Sequence, residues 1–368
     1  MNPLLQLQQQ GQSVWLDFIR RSLIESGRLE QMVEEDGLRG LTSNPQIFMK
    51  AITGGEEYHR QIRELVSSSP ELPIKELYEA IVLADIRAAA DVLRPVFDRT
   101  EGADGFVSLE VSPDLAYDTS GTIDEARRLW KSVDRPNLMI KVPATNEGIP
   151  AIESLLAEGI NINITLMFSI HHYEAVAQAY LRSLDQRDDP RHTSSVASFF
   201  VSRITAAVDQ ALDAVGAEEA KALKGKIAVA NAKVTYQRFR EIFHSEAFQE
   251  RKRAGARVQR VLWGSTSTKN PDYSDVLYVE ELIGPETVNT MPPATLDAFR
   301  EHGKVRGATL LEDVDQAERQ LGQLAELGID LDPITEQLQR DGVKKFKEPF
   351  DKLFEALEDM RKTFERRE

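Results

Sequence analysis

Eight short runs rich in Val, Ile, Leu and Phe recur along this chain, each bounded by Gly, Pro, Ser or Asn and mostly followed by a charged stretch with helical spacing. They are Val14–Ile19, Gly40–Asn44, Gly105–Ser112, Leu138–Pro143, Ile160–Ser169, Val196–Val201, Arg260–Ser265 and Glu286–Met291. Amphipathic segments lie between them, including Ile123–Val133, Ile149–Glu158, His172–Leu184, Thr205–Ala214 and Val234–Phe248. Strand–helix alternation of this kind calls for a parallel sheet covered by helices. The interval from Asn44 to Gly105 is too long for one helix and is expected to hold two or three, Ile74–Leu93 among them, partly as an insertion. From Pro293 onward no strand pattern returns, and helices are expected at Val314–Leu327 and Pro349–Phe364. In the last of these Phe350, Leu353, Phe354, Leu357, Met360 and Phe364 form an apolar stripe, expected to pack against the body of the protein. No repeat or Pro/Ser-rich linker divides the 368 residues, so a single domain is expected, with a C-terminal helical extension from about residue 305.

The apolar runs carry polar residues in one parity. In the third run Val107, Leu109 and Val111 alternate with Ser108, Glu110 and Ser112; in the fourth, Leu138, Ile140 and Val142 alternate with Met139 and Lys141. The fifth sets Ile160, Ile162, Ile164 and Leu166 against Asn161, Asn163, Thr165 and Met167, the first adds Asp17, and the second brings Thr42 and Asn44 together. Residues two apart in a strand share a face. If the aliphatic parity packs under helices, the other parity of several strands meets in one interior, which makes the sheet a closed barrel with a polar centre. Polar residues near the carboxyl ends of barrel strands read as catalytic.

Lys141 and Glu110 admit two readings, a buried ion pair or a reactive amine beside its acid and base. A desolvated lysine loses its proton readily, and the free amine attacks carbonyls. Schiff-base chemistry also needs a general acid and base, and Glu110 and Asp17 are of the right type.

Composition narrows the partners. With 45 Lys plus Arg against 60 Asp plus Glu the net charge is −15, and no basic stripe interrupts the acidity, so nucleic acid is not expected. Cysteine is absent, which excludes disulfides and thiolate chemistry. Met1–Gly11 is Gln-rich and unlike a signal peptide, and no apolar run approaches membrane-spanning length. A cytoplasmic protein without membrane association is expected. Neither GxGxxG nor a Walker A sequence is present, and His171 and His172 are expected to be surface residues, since neighbours on a helix diverge and no metal spacing surrounds them. Asn163-Ile164-Thr165 matches a glycosylation sequon but lies inside an expected strand, and Trp263 is expected in the core.

Seven ordered segments resemble the transaldolase family. They are GLTSNPQIF at Gly40–Phe48, VSLEVSPDLAYDT at Val107–Thr119, LMIKVPATNEG at Leu138–Gly148, NINITLMFS at Asn161–Ser169, ASFFVSRI at Ala197–Ile204, LWGSTSTKNPDYSD at Leu262–Asp275 and NTMPPATLDAF at Asn289–Phe299. The likeness spans roughly Val14 to Phe354 and is to the full-length bacterial type. It implies a (β/α)8 TIM barrel with additional helices between strands 2 and 3 and at the C-terminus. It also implies a class I transferase of the non-oxidative pentose phosphate pathway, which passes a dihydroxyacetone unit from sedoheptulose 7-phosphate to glyceraldehyde 3-phosphate through a lysine Schiff base. Sugar phosphates are then the partners, with no metal or organic cofactor, and the protein is a monomer or a homodimer.

By the same resemblance Lys141 forms the imine, Glu110 is the acid/base working through a water held by Thr165, and Asp17 handles the C4 hydroxyl proton. Thr42, Asn44 and Asn163 hold substrate hydroxyls and the intermediate, Ser198 and Phe200 shape the pocket, and Arg203 with Ser265 binds phosphate. Arg203 has the wrong parity to join Ser198 and Phe200 and is expected beyond the strand end. Where familiar members carry a second arginine, this chain has Ser265-Thr266-Ser267-Thr268-Lys269-Asn270, so the second phosphate cation falls on Lys269. A fructose-6-phosphate aldolase, which releases dihydroxyacetone, and a silent sugar-phosphate-binding barrel are the alternatives. Glu110 and the extra helices favour transfer over release, and the presence of Lys141 and both carboxylates argues against silence.

Overall fold

The structure, a computed structural model describing residues 2–365, turns the eight runs into eight strands. These are β1 (Gln12–Asp17), β2 (Gly40–Thr42), β3 (Phe106–Glu110), β4 (Leu138–Pro143), β5 (Ile162–Met167), β6 (Ser195–Phe200), β7 (Arg260–Gly264) and β8 (Thr287–Met291). Each pairs in parallel with the next and β8 closes on β1, giving a (β/α)8 barrel.

Alternation sorts the strand residues as the parity argument requires. Val14, Leu16, Val107, Leu109, Leu138, Ile140, Ile162 and Ile164 belong to the main core. The opposite parity begins, low in the barrel, as a separate apolar plug of Trp15, Phe106, Met139, Val196, Leu262 and Val288, all almost wholly buried. Each such side chain contributes about 1.5–3 kcal/mol through burial. Gly40 supplies no side chain to this layer because a Cβ there would lie 2.4 Å from the Trp15 ring. Two residues further along, the same faces turn polar, at Asp17, Ser108, Lys141, Ser198 and Thr290. Beneath the plug, Asp104 accepts hydrogen bonds from Ser13, from Trp15 Nε1 (3.0 Å) and from Arg260 Nη2 (3.0 Å).

Three helices, Pro45–Thr53, His59–Ser68 and Ile74–Arg99, fill the interval between β2 and β3. Asn44 is not a strand residue as expected: β2 stops at Thr42, and Asn44 Oδ1 accepts from the Ile47 N–H (3.0 Å) to cap the helix that Pro45 opens. The expected helix Val234–Phe248 is two, Ile227–Phe243 and Glu246–Arg253, because Ser245 breaks the run and caps the second through the Phe248 N–H (3.2 Å). Strand five is shorter than Ile160–Ser169, and its alternation fails near its end: Leu166 takes φ 62° and the register with β6 shifts between Ile164 and Met167.

The expected helix Pro349–Phe364 is the second half of one helix, Leu331–Glu365, that runs through Pro349. Its stripe packs on the barrel's outer helices, with Phe350 and Phe354 against Tyr78 and Phe364 against His59. Its first half crosses the carboxyl end of the barrel, where Gln339 Nε2 donates to the carbonyls of Ala144 (2.9 Å) and Leu166 (3.0 Å) beyond or within the ends of β4 and β5. His172 is not at the surface. Its Nδ1 accepts from the Phe168 N–H (3.3 Å) and its Nε2 meets Glu336 of the long helix (2.9 Å), whereas His171 is exposed. Trp263 is buried as expected.

Candidate active site

Parallel register places the central residues side by side. Glu110 of β3 is opposite Lys141 of β4, which is opposite Asn163 of β5, and Asp17 of β1 is opposite Thr42 of β2. Because strands stand about 4.8 Å apart and these residues point inward, their side chains share one interior.

Lys141, 4 % exposed, donates to the Ser43 carbonyl (3.2 Å) and lies 3.3 Å from Glu110 Oε2. That carboxylate oxygen is buried without a hydrogen-bond partner, and so is Thr165 Oγ1 on β5. Burial raises the Glu110 carboxyl from its ordinary 4.5 to about 7, against the attraction of Lys141. Burial also raises Asp17, opposed by Lys141, by the Thr42 hydroxyl that donates to Oδ1 (2.8 Å), and by the charges of Lys269 and Arg203. Near neutrality Glu110 can therefore both give and take a proton, which suits a general acid/base.

A chain of hydroxyls and amides lines the wall. Asn163 donates through Nδ2 to Ser108 (3.0 Å) and accepts through Oδ1 from Ser198 (2.6 Å). Thr42 also meets Thr290 (2.7 Å). Asn44 stands at the β2 end with its carbonyl oxygen committed to the cap. Phe200, at the end of β6, packs edge-on against Phe168.

Cations gather at the mouth. Arg203 lies in the first turn of the helix Ser202–Val215, beyond β6 as its parity requires, with Cζ 5.3 Å from the Phe200 ring. Its Nη1 is buried without a partner. Ser265, in left-handed backbone (φ 54°), meets the Ser202 hydroxyl (2.8 Å), and Lys269 is exposed and donates to Ser267 (2.6 Å). The structure thus brings Asp17, Thr42, Glu110, Lys141, Asn163, Thr165 and Ser198 together inside, with Phe200, Arg203, Ser265 and Lys269 at the mouth.

Alternation puts Ser108 on the face of Glu110 but gives it no role, and three further neighbours have no place in the sequence reading. Thr290 shares the inward parity of Val288, so alternation could have found it. Ser43 acts through its carbonyl, which no side chain signals. Phe346, on the long C-terminal helix, lies with its ring centroid 5.2 Å from Lys141 Nζ. It is more than two hundred residues away in sequence, and only the folded chain makes them neighbours. Among the described residues no group of three or more His, Cys, Asp or Glu side chains could hold a metal ion.

The sequence is similar to those of known proteins. Residues 14–357 match the model of the family described as transaldolase/fructose-6-phosphate aldolase. The chain is 49% identical to a transaldolase of Thiobacillus denitrificans over 361 residues, covering 97% of this chain and all of that protein. It is 47% identical to transaldolase 2 of Nostoc punctiforme and to a transaldolase of Thermobifida fusca, in each case over 97% of both chains.

Proposed function

We propose how this barrel works from the premise that the chain belongs to the transaldolase/fructose-6-phosphate aldolase family. It is a transaldolase, a transferase acting on sugar phosphates. The reaction is the transfer of a dihydroxyacetone unit from sedoheptulose 7-phosphate to glyceraldehyde 3-phosphate, which yields erythrose 4-phosphate and fructose 6-phosphate.

The observation that carries the residue assignments is the Glu110–Lys141 pair at 3.3 Å, held in register on adjacent strands, with the paired carboxylate oxygen buried and accepting no well-formed hydrogen bond. Lys141 Nζ attacks the C2 carbonyl of the donor, and Glu110 protonates the departing hydroxyl through a water that also reaches Thr165, leaving a protonated imine. Asp17 then takes the C4 hydroxyl proton. The C3–C4 bond breaks, its electrons flow toward the imine nitrogen, and the shorter aldose phosphate departs. The enamine left on Lys141 attacks the aldehyde carbon of the acceptor, Asp17 returns its proton to the new hydroxyl, and water releases the ketose. Asn163, Ser198, Thr42 and the free amide end of Asn44 hold sugar hydroxyls. Arg203, with its unmatched Nη1, and Ser265 take the phosphate, and Lys269 adds a second charge from the loop.

Phosphorylated sugars do not cross membranes unaided, so a cytoplasmic location belongs to the same proposal. No helix among the described residues is long and apolar enough to cross a membrane. The test is a coupled assay with fructose 6-phosphate as donor. Erythrose 4-phosphate should be required for turnover, and sedoheptulose 7-phosphate should accumulate. Equal turnover without an acceptor would assign the chain to the dihydroxyacetone-releasing side of the family.

A further inference from the structure

Phe346 has no role in the account above, and its position is not an accident of surface packing. The long C-terminal helix is drawn onto the barrel mouth at two points. Gln339 is 8 % exposed and is spent on the Ala144 and Leu166 carbonyls. At Gly342 an added Cβ would lie 2.7 Å from Leu166 Cδ2 and 3.5 Å from Arg203 Nη1, so the helix approaches the end of β5 closely there and a larger residue would push the Leu166 side chain aside. One turn further on, the Phe346 ring, 6 % exposed, faces two cations: Lys141 Nζ at 5.2 Å and Arg203 Cζ at 6.0 Å. The face of an aromatic ring attracts a cation at this range.

We propose that Phe346 is a further residue of the reaction, stabilising the cationic imine on Lys141 through its ring and excluding water from the enamine, so that it sets the balance between transfer and release. This rests on Lys141 forming the Schiff base. The nitrogen is positive as the imine, neutral as the enamine and positive again after the acceptor adds, so the ring favours the two imine states that precede and follow the neutral enamine. It carries no proton to donate. In transfer, the enamine C3 forms its bond to the aldehyde carbon, the aldehyde oxygen takes the proton from Asp17, and the nitrogen regains its charge. In release, C3 takes a proton from water instead, a second bond to carbon never forms, and hydrolysis of the resulting imine frees dihydroxyacetone and the lysine amine. A ring over the nitrogen occupies space that such a water would need.

The experiment compares wild type, Phe346→Leu and Phe346→Ala for thermal unfolding, for transfer from fructose 6-phosphate to erythrose 4-phosphate, and for free dihydroxyacetone formed without acceptor. Leucine keeps most of the bulk and loses the aromatic face. It is expected to slow transfer about three- to thirty-fold with little change in unfolding temperature. Alanine should also raise the ratio of release to transfer by about tenfold. A leucine variant that transfers within twofold of wild type, with the ratio unmoved in whichever variants fold, overturns the proposal, since a purely structural ring would change stability and not partition. Borohydride trapping of wild type with fructose 6-phosphate separates the failures. No adduct removes the Schiff-base premise, whereas a trapped enzyme indifferent to Phe346 removes only this inference.

Discussion

Both ends of the barrel bury a carboxylate beside a cation, and they use it differently. At the amino end Asp104 is saturated: Ser13, Trp15 and Arg260 all donate to it, and Arg39 stands 3.6 Å away. At the carboxyl end Glu110 Oε2 has Lys141 at 3.3 Å but accepts no well-formed hydrogen bond. The first arrangement meets the cost of burial with fixed hydrogen bonds and locks the plug beneath Trp15. The second leaves that cost partly unmet, so the group keeps a proton affinity far from ordinary and the capacity to bind something else. A buried ion pair is thus informative less by its presence than by how completely its groups are hydrogen-bonded.

Substitutions can break or sharpen this contrast. Lys141→Ala should remove transfer altogether, by about 10⁴-fold or more in kcat, because no other amine stands in register with Glu110. Glu110→Gln keeps the shape of the side chain and removes the proton exchange, and should cost about 10²- to 10⁴-fold in kcat. It has a second signature. The folded-state value of Glu110 lies above its ordinary 4.5, at about 7, so the folded protein binds the proton more tightly than the unfolded chain does. Stability from this group is therefore full below about 4.5 and is lost as pH rises through about 7. Chemical denaturation at several pH values should show that decline in wild type and a flatter profile in the glutamine variant.

Asp104→Asn probes the other end. Arg260 would keep its charge and lose its counterion in a site that is 15 % exposed, at a cost of about 3 kcal/mol in stability, read as a lower denaturation midpoint. The kcat of the folded fraction should stay within twofold of wild type, because the plug separates Asp104 from the reacting centre. A large fall in kcat there would erase the distinction between the two ends. The smallest effect is expected at Lys269. As an exposed point charge held by Ser267, its loss in Lys269→Ala should raise the KM for sugar phosphates only about two- to fivefold and leave kcat unchanged.

Much of this was legible in the chain because parallel strands buried on both faces must read as apolar runs, and a polar residue among them has few bland explanations. Lys141, Glu110 and Asp17 stand out for that reason. The position of Asn44 is ambiguous in the sequence because Thr-Ser-Asn-Pro can end a strand or open a helix, and the capping bond to Ile47 decides it. The parity rule stopped short at Leu166, where a left-handed residue redirects the chain and local pattern carries no warning. Phe346 and Gln339 were invisible for a different reason. Their partners, Lys141, Ala144 and Leu166, lie far upstream, and an apolar stripe on a terminal helix states that it packs without stating against what. The stripe from Phe350 to Phe364 packs on the body as its pattern requires, whereas the half-helix before it carries no sequence mark of reaching the active centre.

The central claim is that the amine between Glu110 and Asn163 becomes covalently joined to the sugar. Borohydride reduction in the presence of fructose 6-phosphate, followed by peptide mass mapping, tests it directly. The account predicts a substrate-dependent mass increase confined to the peptide that carries Lys141 and absent from Lys141→Ala. A folded protein that yields no adduct, or an adduct on any other lysine, would contradict it.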